Sequence, residues 1–490
     1  MPHDHPSADV VEYTDPICSW AWGTEPKLRL LQWRYGRHLR WRVVLGGLVH
    51  DASGGRDDWD PIRAAEPMQK YWRRSSAYTG QPYPMPMHRM ARSTDPAGLA
   101  VKAAERQGPA VSTAVLRRFR ESTFVFGVTP SAPEEFAASA KGVVGLDVDR
   151  WLDDLSGVEA ASTYRSDWEE TRRPNDHVRH LVGDDVGIGS MKQTDGHDRY
   201  AFPTLVFRGP GGEVTVPGWM PYQAYVDALE STSPGLTADP VPGPTVPQAF
   251  DRWGVLTEKE LAEICGPEAV GNLPMDTVAH FWGAGVVFFS EQEAVARDLP
   301  RVSPEEARCL ADLAQSMELA YSLVARIPAD AWGRSTPCSE WNLRGLINHM
   351  VGSARMVSYG VRGDHIGPEF YRNHLGADPV ASYRDAIDEV ISLYRADPTV
   401  LGRPLPLSWG TMSGAALAEM FAADHLVHAW DVARSLGLPT DFDHGLVARL
   451  RSFGDGYADQ HRVPGMFDPP VPASADATPM DRFAAFIGRR

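Results

Sequence analysis

Between Ser231 and Pro247 the chain reads STSPGLTADPVPGPTVP, with five prolines in seventeen residues. Each proline fixes φ and removes a backbone donor, so the stretch can continue neither a helix nor a central strand and reads as a stiff, extended linker. A softer break falls at Leu299-Pro300-Arg301. A chain of 490 residues is long enough for about two to four domains. The expected organisation is a first domain over 1–232, the linker over 233–247, a small helix-turn-helix-like helical connector over 248–300 and a last domain over 301–490.

The first domain alternates in pattern. Val10, Val11 and Tyr13 read as a strand, Thr24 to Tyr35 as a helix with Leu28, Leu31 and Trp33 inward, and Trp41 to Leu48 as a second strand. Residues 57–185 are mostly helical in pattern. Phe202–Phe207 and Glu213–Val216 flank the glycine-rich turn Arg208–Gly212, a hairpin signal, and Pro221–Glu230 reads as a closing helix. This is the element order of an α/β thioredoxin-like domain with a helical insertion. Beyond residue 301 the periodicity is helical throughout, over 303–326, 339–358, 378–395, 413–436 and 444–460. Ser303-Pro304-Glu305-Glu306 opens the first of these with an N-cap serine, a proline at the first position and carboxylates in the first turn. The last domain is expected to be an all-α bundle of four or five helices.

Charge and cysteine usage exclude several classes. Asp and Glu number 64 against 48 Lys and Arg, a net charge of −16, which argues against a nucleic-acid-coating protein. Residues 250–299 carry nine acids against three bases, so DNA binding is not expected of the connector either. Four scattered cysteines form no disulfide framework, no apolar run reaches the ~18 residues of a membrane helix, and the N-terminus lacks a signal pattern. A cytoplasmic protein with reduced thiols and no membrane partner is expected. Only six basic residues are lysine, a bias that fits a high-GC genome such as an actinobacterial one.

Asp15-Pro16-Ile17-Cys18-Ser19-Trp20-Ala21-Trp22-Gly23 lies between the first strand and the first helix. A cysteine there is either a small core residue or a thiol whose anion is favoured by helix N–H groups, with a pKa expected below the free value of ~8.5. The stretch resembles the DsbA-like branch of the thioredoxin superfamily that includes the FrnE group, whose motif reads close to Asp-Pro-x-Cys-x-Trp-Cys-x-Gly. Ser93-Thr94-Asp95-Pro96-Ala97 resembles the start of the family's insertion helix, and Phe202-Pro203-Thr204 its cis-proline loop. The resemblance implies catalytic roles for Cys18 and Pro203. It fails at Ala21, which stands where the second cysteine belongs. Without that resolving thiol, Cys18 can attack a disulfide or an electrophile but cannot cycle internally.

Asp424 and His428 are i,i+4 on a helical pattern, so they share a face and can hold one metal ion. His349 lies on an earlier helical pattern and alone would pass for an ordinary core or surface histidine. The contexts Thr336-Pro337-Cys338-Ser339-Glu340-Trp341-Asn342, Leu346-Ile347-Asn348-His349-Met350 and His428-Ala429-Trp430-Asp431-Val432-Ala433-Arg434 resemble the DinB-like, mycothiol-dependent maleylpyruvate isomerase superfamily. The resemblance implies the metal ligands His349, Asp424 and His428, with Asp424 where the family commonly has Glu. It also implies a divalent metal, zinc above all, and mycothiol as thiol cosubstrate. Three protein ligands leave an open position, as in catalytic zinc sites. Asp431, at i+3 from His428, either orients that ring or is a solvated charge. His425 is a surface or supporting residue, or a reserve ligand.

Together the two resemblances imply a mycothiol-dependent, metal-assisted thiol transferase or isomerase acting on an electrophilic small molecule. A monothiol oxidoreductase using Cys18 with an external thiol is the second reading, and a non-catalytic metal or metabolite binder the third.

Overall fold

The computed structural model describes residues 7–489 apart from 85–86, 88, 182–188, 195, 282–284, 339–340, 365–372, 408–409, 461 and 463–466. His3, His5, Met85, His88, Ser339, Glu340 and most of the Gly183–Gly189 stretch therefore lie outside the described residues. The chain separates into two compact units, one of residues 1–277 with 287–299 and one of residues 278–286 with 300–490. Among the described residues no helix is long and apolar enough to cross a membrane.

The first unit is built on a four-stranded mixed sheet. Ala8–Thr14 is central, parallel to Leu39–Leu45 on one side and antiparallel to Thr204–Gly209 on the other. Gly212–Pro217 completes the hairpin at the edge. Gly212 supports that turn with φ of 116°, a conformation glycine adopts without steric cost. Successive side chains of the central strand point to opposite faces, and both faces are covered. Ala8 and Val10 pack with Leu31, Phe207, Tyr225 and Leu229. Val11 and Tyr13 pack with Cys18, Ala21, Val44 and Phe202 on the other side. The first helix runs from Ser19 to Tyr35, five residues earlier than the apolar periodicity alone places it, because its first turn is the cysteine motif itself.

The insertion is helical, with its longest helices at Ala65–Thr79, Asp95–Glu105, Pro109–Phe124 and Val158–Thr171. The proline-rich stretch does not range free: Trp33 Nε1 donates to Pro242 O and Val241 N to Arg34 O. The connector is not all helical, which corrects the sequence expectation. Val255–Thr257 pairs antiparallel with Val286–Phe289. The run Val286-Val287-Phe288-Phe289 is buried at every position, and a run so short and rich in β-branched and aromatic residues favours a strand.

An interior ion network binds the connector to the Pro109–Phe124 helix. Glu260 is fully buried and accepts from both Arg117 Nη1 at 2.7 Å and Arg117 Nη2 at 3.0 Å. Arg117 Nε reaches Glu121 at 2.7 Å, Arg297 Nη2 reaches the same carboxylate at 2.7 Å, and Arg118 pairs with Glu293 at 2.7 Å. Glu260 also closes a capping box with Thr257 at the start of Glu258–Cys265.

The second unit is a bundle of Pro304–Val324, Leu343–Arg362, Pro379–Ala396 and Gly414–Leu436, followed by His444–Gln460 and Pro479–Phe486. Ser303 caps the first helix, as the sequence predicts, and the Glu306 side chain closes a capping box with it. Pro304–Val324 packs mainly against Gly414–Leu436, and Leu343–Arg362 against Pro379–Ala396. The bundle is not purely helical: Pro404–Leu407 pairs with Gly410–Ser413 as a short antiparallel ladder.

Candidate functional site

Cys18 is the N-cap residue of the Ser19–Tyr35 helix and only 4% exposed. Its Sγ donates to Phe202 O at 3.3 Å, and the Phe202–Pro203 peptide bond is cis, so Cys18 and the Pro203 loop meet. Gly46 lets that loop close, since a Cβ there would run into the Phe202 ring. Behind the thiol, Asp15 accepts from Ile17 N and Leu48 N, each at 2.8 Å, and from Thr94 Oγ1 at 2.9 Å. Ala21 is buried in the same cluster, and all four cysteines of the chain are free of disulfides.

The expected thiolate is not favoured here. Burial pushes the Cys18 thiol up to about 11, with Asp15 adding to the rise and the Ala21 and Trp20 N–H groups only partly offsetting it. The helix terminus acts as anticipated, but desolvation outweighs it. The alkylation rate of Cys18 by iodoacetamide should therefore climb about tenfold per pH unit from pH 7 to 10, as the thiolate fraction does. Peptide mass mapping reads this directly, and a rate already level at neutral pH would contradict a buried neutral thiol.

A chamber of about 490 Å³ opens beside Cys18, walled by Trp20, Tyr71, Trp72 and Trp219. Met90 lines it, whereas Met87 is buried.

In the second unit, Leu343–Arg362 supplies His349 and Gly414–Leu436 supplies Asp424 and His428. The structure brings all three together: one ligand atom from each lies within 4.8 Å of the others. Asp424 Oδ1 is 3.5 Å from His349 Nε2 and 3.4 Å from His428 Nε2. The other carboxylate oxygen, Asp424 Oδ2, is buried with no hydrogen-bond partner among the described residues. A buried carboxylate oxygen left bare beside two imidazoles is costly unless a cation completes it, so the residues fit a metal ion. Burial alone would raise the Asp424 carboxyl, but His428 and His349 carry it well below the usual carboxylate range. Burial likewise opposes charging of His428, yet Asp424 and Asp431 raise it to about 9.

The two histidines are held differently. His428 Nδ1–H donates to Asp431 at 3.0 Å, which turns Nε2 toward the cluster. Asp431 is fully buried and also meets Arg489 Nε at 3.2 Å, so of its two sequence readings the orienting one is realised. His349 is instead stacked on Trp341, with ring centres 4.4 Å apart and planes within 24°. The Trp341 edge also meets His428 at 5.9 Å. Neither Trp341 nor Arg489 carries a role in the sequence reading. Trp341 lies outside the helix of His349, and Arg489 is 58 residues from Asp431, so no local spacing announces either. His425 is buried rather than at the surface. It is bonded to Tyr383 Oη at 2.8 Å, and burial lowers its pKa to about 4. It points away from the cluster role of a reserve ligand.

Trp341→Ala and Asp431→Asn are each expected to weaken metal binding about tenfold or more, the usual cost of losing support behind a ligand. Chelator competition with Co²⁺ measures this, and affinities within twofold of the native chain would show that neither side chain supports the cluster.

Comparison with known proteins agrees with this division. Residues 12–174 match the thioredoxin family and residues 313–433 match the mycothiol maleylpyruvate isomerase N-terminal domain. The ClpXP adapter protein SpxH of Shouchella clausii is 26% identical over 264 residues, covering 52% of this chain and 77% of that protein. An uncharacterized protein of Mycobacterium tuberculosis is 33% identical over 170 residues, 34% of this chain and 90% of that protein. The cytosolic disulfide reductase DsbM of Pseudomonas aeruginosa aligns at 18% identity with a TM-score of 0.33, over 45% of this chain and 97% of that one. The N-terminal part of the chain thus carries a DsbA-like thioredoxin match, and the C-terminal part a DinB-like match of the mycothiol maleylpyruvate isomerase N-terminal type.

Proposed function

We propose that the chain is a mycothiol-dependent transferase or isomerase acting on an electrophilic small molecule, with its chemistry at His349, Asp424 and His428. The observation that carries this reading is the convergence of His349, Asp424 and His428, with Asp424 Oδ2 left bare among the described residues. Two imidazole nitrogens and a carboxylate suit zinc and leave room for a further ligand. A divalent ion held there would favour the thiolate of a bound low-molecular-weight thiol at neutral pH. The chain's own part is to hold the donors. Asp431 fixes the tautomer of His428, Trp341 fixes the plane of His349, and Arg489 braces Asp431. The sulfur adds to an electron-poor carbon, a C–S bond forms, and the displaced electron pair takes up a proton. In a transferase the bond persists; in an isomerase it breaks after rotation and releases the thiol.

The site beside Cys18 supports a second reading, a monothiol exchange enzyme. Cys18 would attack a disulfide, form a mixed disulfide and release one thiol, and an external thiol would then free Cys18. Its support is the meeting of Cys18 with the Pro203 loop. Mycothiol consumption with a panel of quinones and activated alkenes separates the two. Loss of turnover in His349→Ala but not in Cys18→Ser is expected. The reverse pattern would move the function to Cys18, and turnover intact in both would exclude either site.

A further inference from the structure

We propose that the chamber beside Cys18 is a binding site for a small organic anion with a flat apolar body, an aromatic carboxylate in size and chemistry. The site stands apart from the metal-centred reading and does not depend on it. Its volume of about 490 Å³ suits a small molecule. Trp20, Tyr71, Trp72 and Trp219 supply aromatic surface for a planar body.

The charge pattern decides the sign of the ligand. Arg74, Lys192 and Arg199 line the chamber, and among the described residues none that lines it carries a carboxylate. In a chain with 64 acids against 48 bases, three cations and no acid run against composition. Arg199 is fixed in place: its guanidinium lies 4.6 Å over the Phe202 ring and donates to Tyr200 O and Thr194 Oγ1, each at 2.8 Å. Arg74 and Lys192 are exposed and stand in contact with solvent. Asp15 lies behind the wall, its oxygens taken by Ile17 N, Leu48 N and Thr94 Oγ1. Buried Arg199, with Arg74 and Lys192 on the solvent side, favours an anion, whereas a cationic ligand would meet only like charge. A neutral aromatic body would gain the ring contacts without the charge term. Cys18 also lines the chamber, so an occupant shields it.

The test is alkylation of Cys18 in the full chain, read by peptide mass mapping, with naphthalene-2-carboxylate or 2-naphthylmethanol as occupant. The carboxylate is expected to slow modification by iodoacetamide about fivefold or more at millimolar concentration, and the alcohol much less, since about 1 kcal/mol of charge selectivity is a factor of that size. In Arg74→Glu/Lys192→Glu, at exposed positions, the protection should vanish. The ratio of iodoacetate to iodoacetamide rates should also fall about tenfold or more. Equal protection by acid and alcohol would overturn the proposal. So would protection unchanged in the charge-reversed variant, or none from either compound. Iodoacetate rates alone, unprotected but charge-dependent, would show a local field and no site.

Discussion

Asp424→Ala is expected to abolish tight metal binding in the second unit, with a fall in affinity of about a hundredfold or more. Supporting residues behind a ligand are worth about 10–100-fold, so loss of a ligand lies at or beyond the upper end. Asp424 is the hub of the cluster, since Oδ1 faces both His349 Nε2 and His428 Nε2 while Oδ2 has no hydrogen-bond partner among the described residues. Alanine leaves two imidazoles about a gap, a poor site for a divalent ion. The variant should fold, because removing Asp424 strands no charged partner in the apoprotein: His428 keeps Asp431, and His349 keeps its stack on Trp341. Asp424→Glu restores the carboxylate one methylene farther out and should recover most of the affinity. Co²⁺ titration against a chelator distinguishes these outcomes. Undiminished Co²⁺ binding in Asp424→Ala would mean that the ion sits elsewhere.

The largest effect on stability is expected from Glu260→Gln. Glutamine keeps the size of the side chain and an oxygen for the capping box but leaves Arg117 without its bidentate counter-charge in the interior. Breaking one side of a buried pair costs about 3–5 kcal/mol. In a unit of this size that is a drop of roughly 6–20 °C in the first unit's thermal midpoint. Arg29, 3.4 Å from Glu260, loses a partner as well. The double variant Glu260→Leu/Arg117→Met should recover part of the loss, because Arg117 is no longer left beside an uncharged partner, while Glu121 keeps Arg297 and Arg29 keeps Glu25. Calorimetry of the single and double variants checks both statements. A midpoint within 2 °C of native for Glu260→Gln would show that solvent reaches the network.

The two halves of the chain were unequally legible in sequence. The bundle helices fall within a few residues of their periodicity, because their boundaries carry chemistry: the Ser303–Glu306 box, Asn342 bonded to Gly345 N, and Ser413 bonded to Ala416 N. Asp424 and His428 share a helical face by spacing alone, and the resemblance supplied His349. What local pattern could not reveal is contact between distant residues. The burial that silences the Cys18 thiol comes from Phe202 and its neighbours, 184 residues away. The connector's strands hide in a run too short to separate from a buried helix turn. Its acidic composition argued only against DNA binding, and composition cannot show that Glu260 and Glu293 are spent on Arg117 and Arg118. The chamber cations Arg74, Lys192 and Arg199 are likewise scattered in sequence and meet only in the fold.

In the proposed function His349, Asp424 and His428 form a metal centre that receives a low-molecular-weight thiol. Calorimetric titration of mycothiol into the full chain, metal-replete and chelator-stripped, tests it most directly. Saturable binding is expected in the replete protein, with its loss after stripping and its return on adding Zn²⁺. Binding of equal strength in both states, or none in either, would contradict it.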